Sequence, residues 1–248
     1  MVKVHVFHNE EEAAAYVKTR PDLKVSLQSN DPRKDLEFLG VSSFIQEEFR
    51  TPITVIKIGE DEYMRKLLEK GEVFMRTLEE FRKMENESKD CSDGRGDAYE
   101  GVDAITQVDA LFLGDTKVEG CSPIRHNLPG GIKGLIYCLF GVYDSPFDIR
   151  GSLPNEVKKM GNSAVVIRDP MVFIDRCATA VRKAGGGMMA GSVQYYDENA
   201  GDYFLSPWLK RNKFRAQSEY RLFIPCGNEG CYTLHIGSIE DIAEIISL

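Results

Sequence analysis

The stretch Lys213-Phe-Arg-Ala-Gln-Ser-Glu-Tyr-Arg-Leu-Phe-Ile224 decides how this chain is read, because a core strand in it begins on a charge. Tyr220, Leu222, Phe223 and Ile224 are aromatic and branched side chains that fit a pleated sheet. Glu219 stands at the mouth of that strand, with Arg215 and Arg221 close by in sequence. A carboxylate at the lip of a core strand is costly unless it is paired, exposed or used. Glu219 is therefore the leading candidate for a catalytic residue. An ion pair with Arg76 or Arg221 is the structural alternative.

Upstream of this strand the pattern mixes helix and strand. Val2, Val4 and Val6 alternate as a strand does. Asn9 is placed to cap an acidic helix over 10–18, Leu23 to Leu27 reads as a second strand, and 34–49 has partial helical spacing. Pro52 to Ile58 is a strand, and Asp61 to Lys70 an amphipathic helix stopped by Gly71. Glu72 to Arg76 is strand-like. Thr77 followed by Glu80 matches a capping box, which predicts a helix from Leu78 to about Met84.

Farther on, 85–96 reads as a flexible polar loop, Val102 to Phe112 as strand, and 114–134 as a long connection bearing glycine and proline. Leu135 to Tyr143 is apolar on both faces, as a central strand is. Ser163 to Arg168 is another strand, and Asp169-Pro170 opens a helix. Strands are expected over 188–197, 219–225 and 231–236, with Gly227 to Gly230 as a turn and a last helix over 239–247 capped by Ser238. The sum is an α+β chain with a mostly antiparallel sheet. An N-terminal βα-rich part is assigned to 1–70 and the core to 71–248.

Composition narrows the function classes. Hydrophobic residues make up 42% and charged residues 28%, which suits an ordinary globular core. The net charge of −8 argues against a broad basic surface for duplex nucleic acid. A local basic patch survives between Trp208 and Arg221, with Lys210, Arg211, Lys213 and Arg215. The six cysteines form no CxxC pair and have no histidine at ligand spacing, so zinc is not expected. Cys138 and Cys177 read as small core residues, and His5 and His235 as packed or edge residues. No apolar run approaches the roughly 20 residues that span a bilayer. The expectation is a reduced, cytoplasmic protein with no membrane partner.

Three further constellations carry chemistry. Arg76 ends a short apolar strand, where a guanidinium can hold a phosphate or pair with Glu79 or Glu80. Gly94-Arg95-Gly96-Asp97-Ala98-Tyr99-Glu100-Gly101 suits either a loop whose backbone approaches a ligand or a solvated turn. In Cys138 to Ser145, Gly141 would let a flat ring lie against the backbone, unless the run is an ordinary core strand. A lone carboxylate facing a cleft can stabilise an oxocarbenium-like transition state, as in glycosyl transfer. Without a second acid at defined spacing, the suitable reaction is one whose leaving group departs unaided, such as nicotinamide leaving NAD.

The segments Gly71 to Glu85, Arg95 to Gly101, Ile136 to Phe140 and Phe214 to Arg221 together resemble a group of uncharacterised bacterial and phage proteins. That group is weakly similar to the DUF2971 proteins. Its Gln-Ser-Glu-Tyr-Arg element looks like the catalytic-glutamate strand of DNA-modifying ADP-ribosyltransferase toxins. The likeness covers about residues 71–226, and no Ser-Thr-Ser strand matches between its ends. It implies an ADP-ribosyltransferase-like fold with NAD as substrate, and a nucleic acid or protein as acceptor, or simple NAD hydrolysis. Glu219 would carry the chemistry, Arg76 would grip the pyrophosphate, Tyr137 or Tyr143 would stack on nicotinamide, and Arg95 would serve the same ligand. The alternative is a non-catalytic nucleotide- or protein-binding module of phage or defence systems, since a fold can persist without its activity.

Overall fold

The computed structural model describes residues 3–6, 50–87, 96–108, 110–113, 115–118, 123–128, 131–145, 148–226 and 230–248. The chain opens with β1 (Lys3–Val6), β2 (Thr54–Gly59), α1 (Asp61–Arg65, continued by a π turn over Lys66–Lys70), β3 (Glu72–Thr77) and α2 (Leu78–Glu87). Next come β4 (Ala104–Thr106), β5 (Ala110–Leu113), β6 (Thr116–Val118), β7 (Ile124–His126) and β8 (Gly134–Val142). Two short helices, α3 (Ile149–Ser152) and α4 (Asn155–Lys158), lead to β9 (Ser163–Ile167) and α5 (Pro170–Lys183). The remainder is β10 (Met189–Ser192), β11 (Gln194–Tyr196), β12 (Tyr203–Phe204), β13 (Leu209–Arg211), a 3-10 turn (Asn212–Gln217), β14 (Glu219–Pro225), β15 (Tyr232–His235) and β16 (Ala243–Ser247).

The chain divides into two compact units. One comprises Met1–Ile45, Val102–Gly131 and Asp197–Leu205; the other comprises Gln46–Gly101, Ile132–Tyr196 and Ser206–Leu248. A cut at residue 70 falls inside the second unit, because β2 pairs with both β8 and β9 and is part of the same sheet as β14. In the first unit β1 runs parallel to β5, β6 pairs antiparallel with β5, and β4 pairs with β7 and β12. The connection over 114–134, expected to lack structure, thus carries β6 and β7.

The second unit is built on an eight-stranded sheet whose pairings are all antiparallel, in the order β10-β14-β8-β2-β9-β16, with β3 also on β8 and β15 on β3. Together with the helices this is an α+β architecture, as composition and pattern predict. Strand β8 is the axis, with β14 along one side. On the other side the sheet forks: β3 meets Leu135 and Ile136, whereas β2 meets Phe140 to Val142. The Lys57 ammonium donates to the Cys138 carbonyl at 2.9 Å, at the fork, and lies 4.3 Å from the Tyr137 ring centre.

Period-2 alternation gives β8 and β14 two different faces. Tyr137, Leu139, Tyr220, Leu222 and Ile224 join one apolar core, into which α5 sends Phe173, Cys177 and Val181. Burial pushes the Cys177 thiol up to about 12, which suits an inert core cysteine. The opposite face carries Ile136, Cys138 and Phe140 of β8, opposite Phe223, Arg221 and Glu219 of β14.

Caps written in the sequence are formed. The Glu80 amide donates to the Thr77 hydroxyl at 3.1 Å, and the Thr77 amide donates back to the Glu80 carboxylate at 3.0 Å. Asp169 accepts the Val172 amide at 3.0 Å to start α5. Gly71 adopts φ 63°, a left-handed turn that lets the helix stop. The expected last helix is instead a strand. Ser238 accepts only the Glu240 amide, at 3.3 Å, and residues Ala243 to Ser247 pair with β9. A sheet edge needing a partner overrides the local capping signal. The expected strand over 188–197 is two strands parted at Val193. The elements expected over 9–49, and the turn residues 227–229, lie outside the described residues. No described helix is long and apolar enough to cross a membrane.

Candidate functional site

The charged face of β14 gathers six ionised side chains from three segments of the second unit. Glu219, the first residue of β14, is 6% exposed, and Arg221, two residues on and on the same face, is 0% exposed. The Arg221 Nε donates to one Glu219 oxygen at 2.7 Å. The other Glu219 oxygen is held by the ammonium of Lys210 from β13. The remaining Arg221 nitrogens clasp both oxygens of Glu100 at 2.8 and 2.9 Å, and also donate to the Pro207 carbonyl. Next to this, Arg211 binds Asp97 at 2.6 Å and lies 4.3 Å from the Tyr99 ring centre. Lys210 further donates to the Gln217 side-chain carbonyl at 2.7 Å. Three cations face three carboxylates, so the lattice is neutral as a whole.

Local structure places each member. The 3-10 turn ends at Ser218 with φ 41° and ψ 48°, a left-handed conformation rare for a residue with a side chain. It is fixed from both sides: the Ser218 hydroxyl donates to the Gly141 carbonyl at 2.9 Å, and the Gly141 amide donates to the Ser218 carbonyl at 2.8 Å. This turn reverses the chain, so that Lys210 returns alongside Glu219. The Glu219 amide donates to the Tyr195 hydroxyl at 2.8 Å, which fixes the start of the strand.

The electrostatics are those of a closed interior. Burial opposes the Glu219 charge, but Arg221 and Lys210 outweigh it and hold this carboxyl down at about 2. For Glu100, burial outweighs the attraction of Arg221 and Lys210 and raises the carboxyl above its ordinary value. Glu219 is thus ionised at any working pH, and Glu100 is the more readily protonated of the two. Burial, with the Glu219 charge beside it, pushes the Cys138 thiol up to about 12 and removes it as a nucleophile.

The residues singled out in the sequence fall in four different places. Glu219 pairs with Arg221, one of the two arginines weighed for it, and has no free carboxylate edge. Tyr137 lies on the opposite face of β8, buried 6.5 Å from Phe173 by ring centres, and burial raises its phenol well above the ordinary value. Tyr143 folds back onto Gly141, whose added Cβ would sit 3.0 Å from the ring. The flat ring that Gly141 admits is therefore the chain's own. Arg50 lies 4.7 Å from the Tyr143 ring centre.

Arg76 pairs with Ile136, whereas Glu219 pairs with Phe140. The two are thus four residues apart along β8, about 14 Å, and on strands flanking it, about 10 Å across. Arg76 lies instead near Glu80 and 5.2 Å from the Phe74 ring centre. Arg95 lies outside the described residues. Glu219, Tyr137, Tyr143 and Arg76 are thus not gathered at one point of the sheet.

Sequence reasoning noticed every member of the lattice but not the lattice. Asp97 and Glu100 read as acids of a loop, and Lys210 and Arg211 as part of a basic patch. The available signal was Trp208-Leu209 beside two cations, an apolar strand context in which a charge needs a partner. No group of described residues has the makings of a metal site. Comparison of the chain with protein-family models, curated proteins and solved structures returns no match.

Proposed function

We propose that this chain acts by binding a nucleotide-type ligand rather than by turning one over, and that Glu219 is a structural carboxylate. One observation carries the structural role of Glu219: both its oxygens are occupied by Lys210 and Arg221 inside a neutral, buried lattice. A catalytic carboxylate must present an oxygen to the developing charge of the reacting sugar. Glu219 is buried with an ion pair on each oxygen, and withdrawing one would break a buried pair, at a cost of about 3–5 kcal/mol. The rival reading is ADP-ribosyl transfer or NAD hydrolysis, which the resemblance implies. It requires Glu219, Arg76 and a stacking tyrosine on one ligand.

Nicotinamide release separates the two. The wild-type chain incubated with NAD is expected to release none above the buffer rate, while a thermal-shift series over NAD, ATP and GTP is expected to raise the melting temperature with at least one of them. Release by the wild-type chain that disappears in Glu219→Gln would overturn the binding-only reading. No shift with any nucleotide would remove the nucleotide from it.

A further inference from the structure

One end of the sheet in the second unit is positively charged although the chain as a whole is strongly negative. At this end β8 finishes and β14 starts, and four described segments meet. The 3-10 turn is hydrogen-bonded through Ser218 to Gly141, Gly141 lies under the Tyr143 ring, and Arg50 lies over that ring. The Arg50 amide donates to the Ser192 hydroxyl at 2.9 Å, and the Ile53 amide donates to the Val142 carbonyl at 2.8 Å. Helices α3 and α4 cover Phe140 and Val142 through Ile149, Leu153 and Val157, and α4 packs on the 3-10 turn.

The charges on these segments are Arg50, Arg150, Lys158, Lys159, Lys213 and Arg215, against Asp144, Asp148 and Glu156. Among the described residues of these segments, six cations against three acids leave a local balance of +3, on a chain of net charge −8. All six cations are at least partly exposed. Among the described residues no carboxylate pairs with Arg50, Arg150, Lys159 or Arg215. Lys210, Arg211 and Arg221 are excluded from this balance, because the lattice already neutralises them.

Two features make this more than a charged patch. Tyr143, backed by Gly141, supports the Arg50 guanidinium on a flat ring, and a supported guanidinium is a surface on which bases stack. In the 3-10 turn tied to Gly141 through Ser218, Phe214 is half-buried, with Lys210 and Lys213 4.7 and 4.8 Å from its ring centre. Cations interleaved with flat groups around the end of a sheet are the elements of single-strand recognition, which stacks bases and tracks phosphates.

We infer that this end of the second unit binds single-stranded nucleic acid, with Arg50 on Tyr143 as the stacking platform and Arg215, Arg150 and Lys159 on the phosphates. This rests on the binding reading above and names its ligand class. Fluorescence anisotropy with a labelled 12-nucleotide oligouridylate tests it on the full chain. With about three phosphate contacts, affinity is expected to fall roughly 20-fold between 50 and 200 mM salt. The Arg50→Ala/Arg215→Ala double variant is expected to bind about tenfold more weakly and with a shallower salt slope.

The control is Arg168→Ala/Arg176→Ala, which removes two positive charges elsewhere on the same unit and is expected to bind as the wild type does. No binding at 50 mM salt, an equal loss in the control, or equal affinity for a duplex of the same length would overturn the inference. So would full displacement of the oligonucleotide by ATP at equal phosphate concentration. Nicotinamide release, if found, would overturn the non-catalytic reading and leave oligonucleotide binding to stand or fall on its own titration.

Discussion

The two faces of β14 are made from one heptapeptide and solve opposite problems. On one face Tyr220, Leu222 and Ile224 join an apolar core with Phe173 and Val181, where stability follows area removed from water and no partner is specific. On the other, Glu219 and Arg221 lie equally deep but depend on Lys210 and Glu100 being in place. An apolar face degrades gradually when trimmed, whereas a charge lattice fails when one member is lost, because the others remain buried without a counter-charge. Buried ions in this chain are therefore evidence about uniqueness of structure before they are evidence about catalysis.

The sharpest way to break this contrast is Arg221→Met, which keeps the length of the side chain and removes its charge. It leaves Glu100 and Glu219 without the cation they share and is expected to cost about 3–5 kcal/mol in urea unfolding. Leu222→Ala, its neighbour on the apolar face, is expected to cost about 2–5 kcal/mol by leaving a cavity. An Arg221→Met loss under about 1 kcal/mol would mean that the lattice is dispensable.

Glu219→Gln is the next in size and carries a pH signature. The folded carboxyl sits at about 2, against an ordinary value of 4.5. Its contribution is therefore complete above pH 4.5 and is lost as pH falls toward 2. The depression corresponds to stability on the order of 3 kcal/mol, and the acid limb of the wild-type stability curve should flatten by that much in the variant. Glu100 works in the other sense, since its raised carboxyl makes its ionised form a cost that grows as pH rises. Superimposable acid limbs for wild type and Glu219→Gln would contradict the assignment of Glu219 to the lattice.

Smaller effects test the local devices around it. Thr77→Ala removes the hydroxyl that accepts the Glu80 amide and is expected to cost about 1 kcal/mol by chemical denaturation. A change below about 0.3 kcal/mol would mean that water caps α2 equally well. Ser218→Gly relieves the left-handed conformation, worth about 1–2 kcal/mol, and gives up the bond to Gly141, worth about 1 kcal/mol. The net shift is expected within about 1 kcal/mol of zero, and a loss above about 2 kcal/mol would show that the Gly141 tie matters more than the strain.

The two kinds of face also explain what could be read in advance. Strands β2, β3, β8, β9 and β14, the cap of α5 and the capping box of α2 were legible, because each is set by side-chain alternation or by residues within three positions. The apolar half of the core was legible for the same reason in Tyr220, Leu222, Phe173 and Val181. Strand β16 was not, since Ser238 gives a local helix signal while its pairing with β9 reaches back to Ser163. The lattice was least legible. Glu219-x-Arg221 puts two charges on one strand face, but nothing near them in sequence announces that Glu100 and Lys210 will arrive there. Glu219 was therefore rightly marked as unusual, while its partner set lay beyond the reach of spacing rules.

The molecule is made in an order that its pairings do not follow. Asp97 and Glu100 are synthesised more than a hundred residues before the cations that neutralise them. Strand β8 likewise must wait for β14 to flank it from Gly134 to Phe140. During translation the second unit cannot close stepwise, and its half-formed sheet stays open on one side until residues 210–225 leave the ribosome. Such late closure favours slow, concerted assembly and gives a chaperone a long interval in which to engage the unpaired edge.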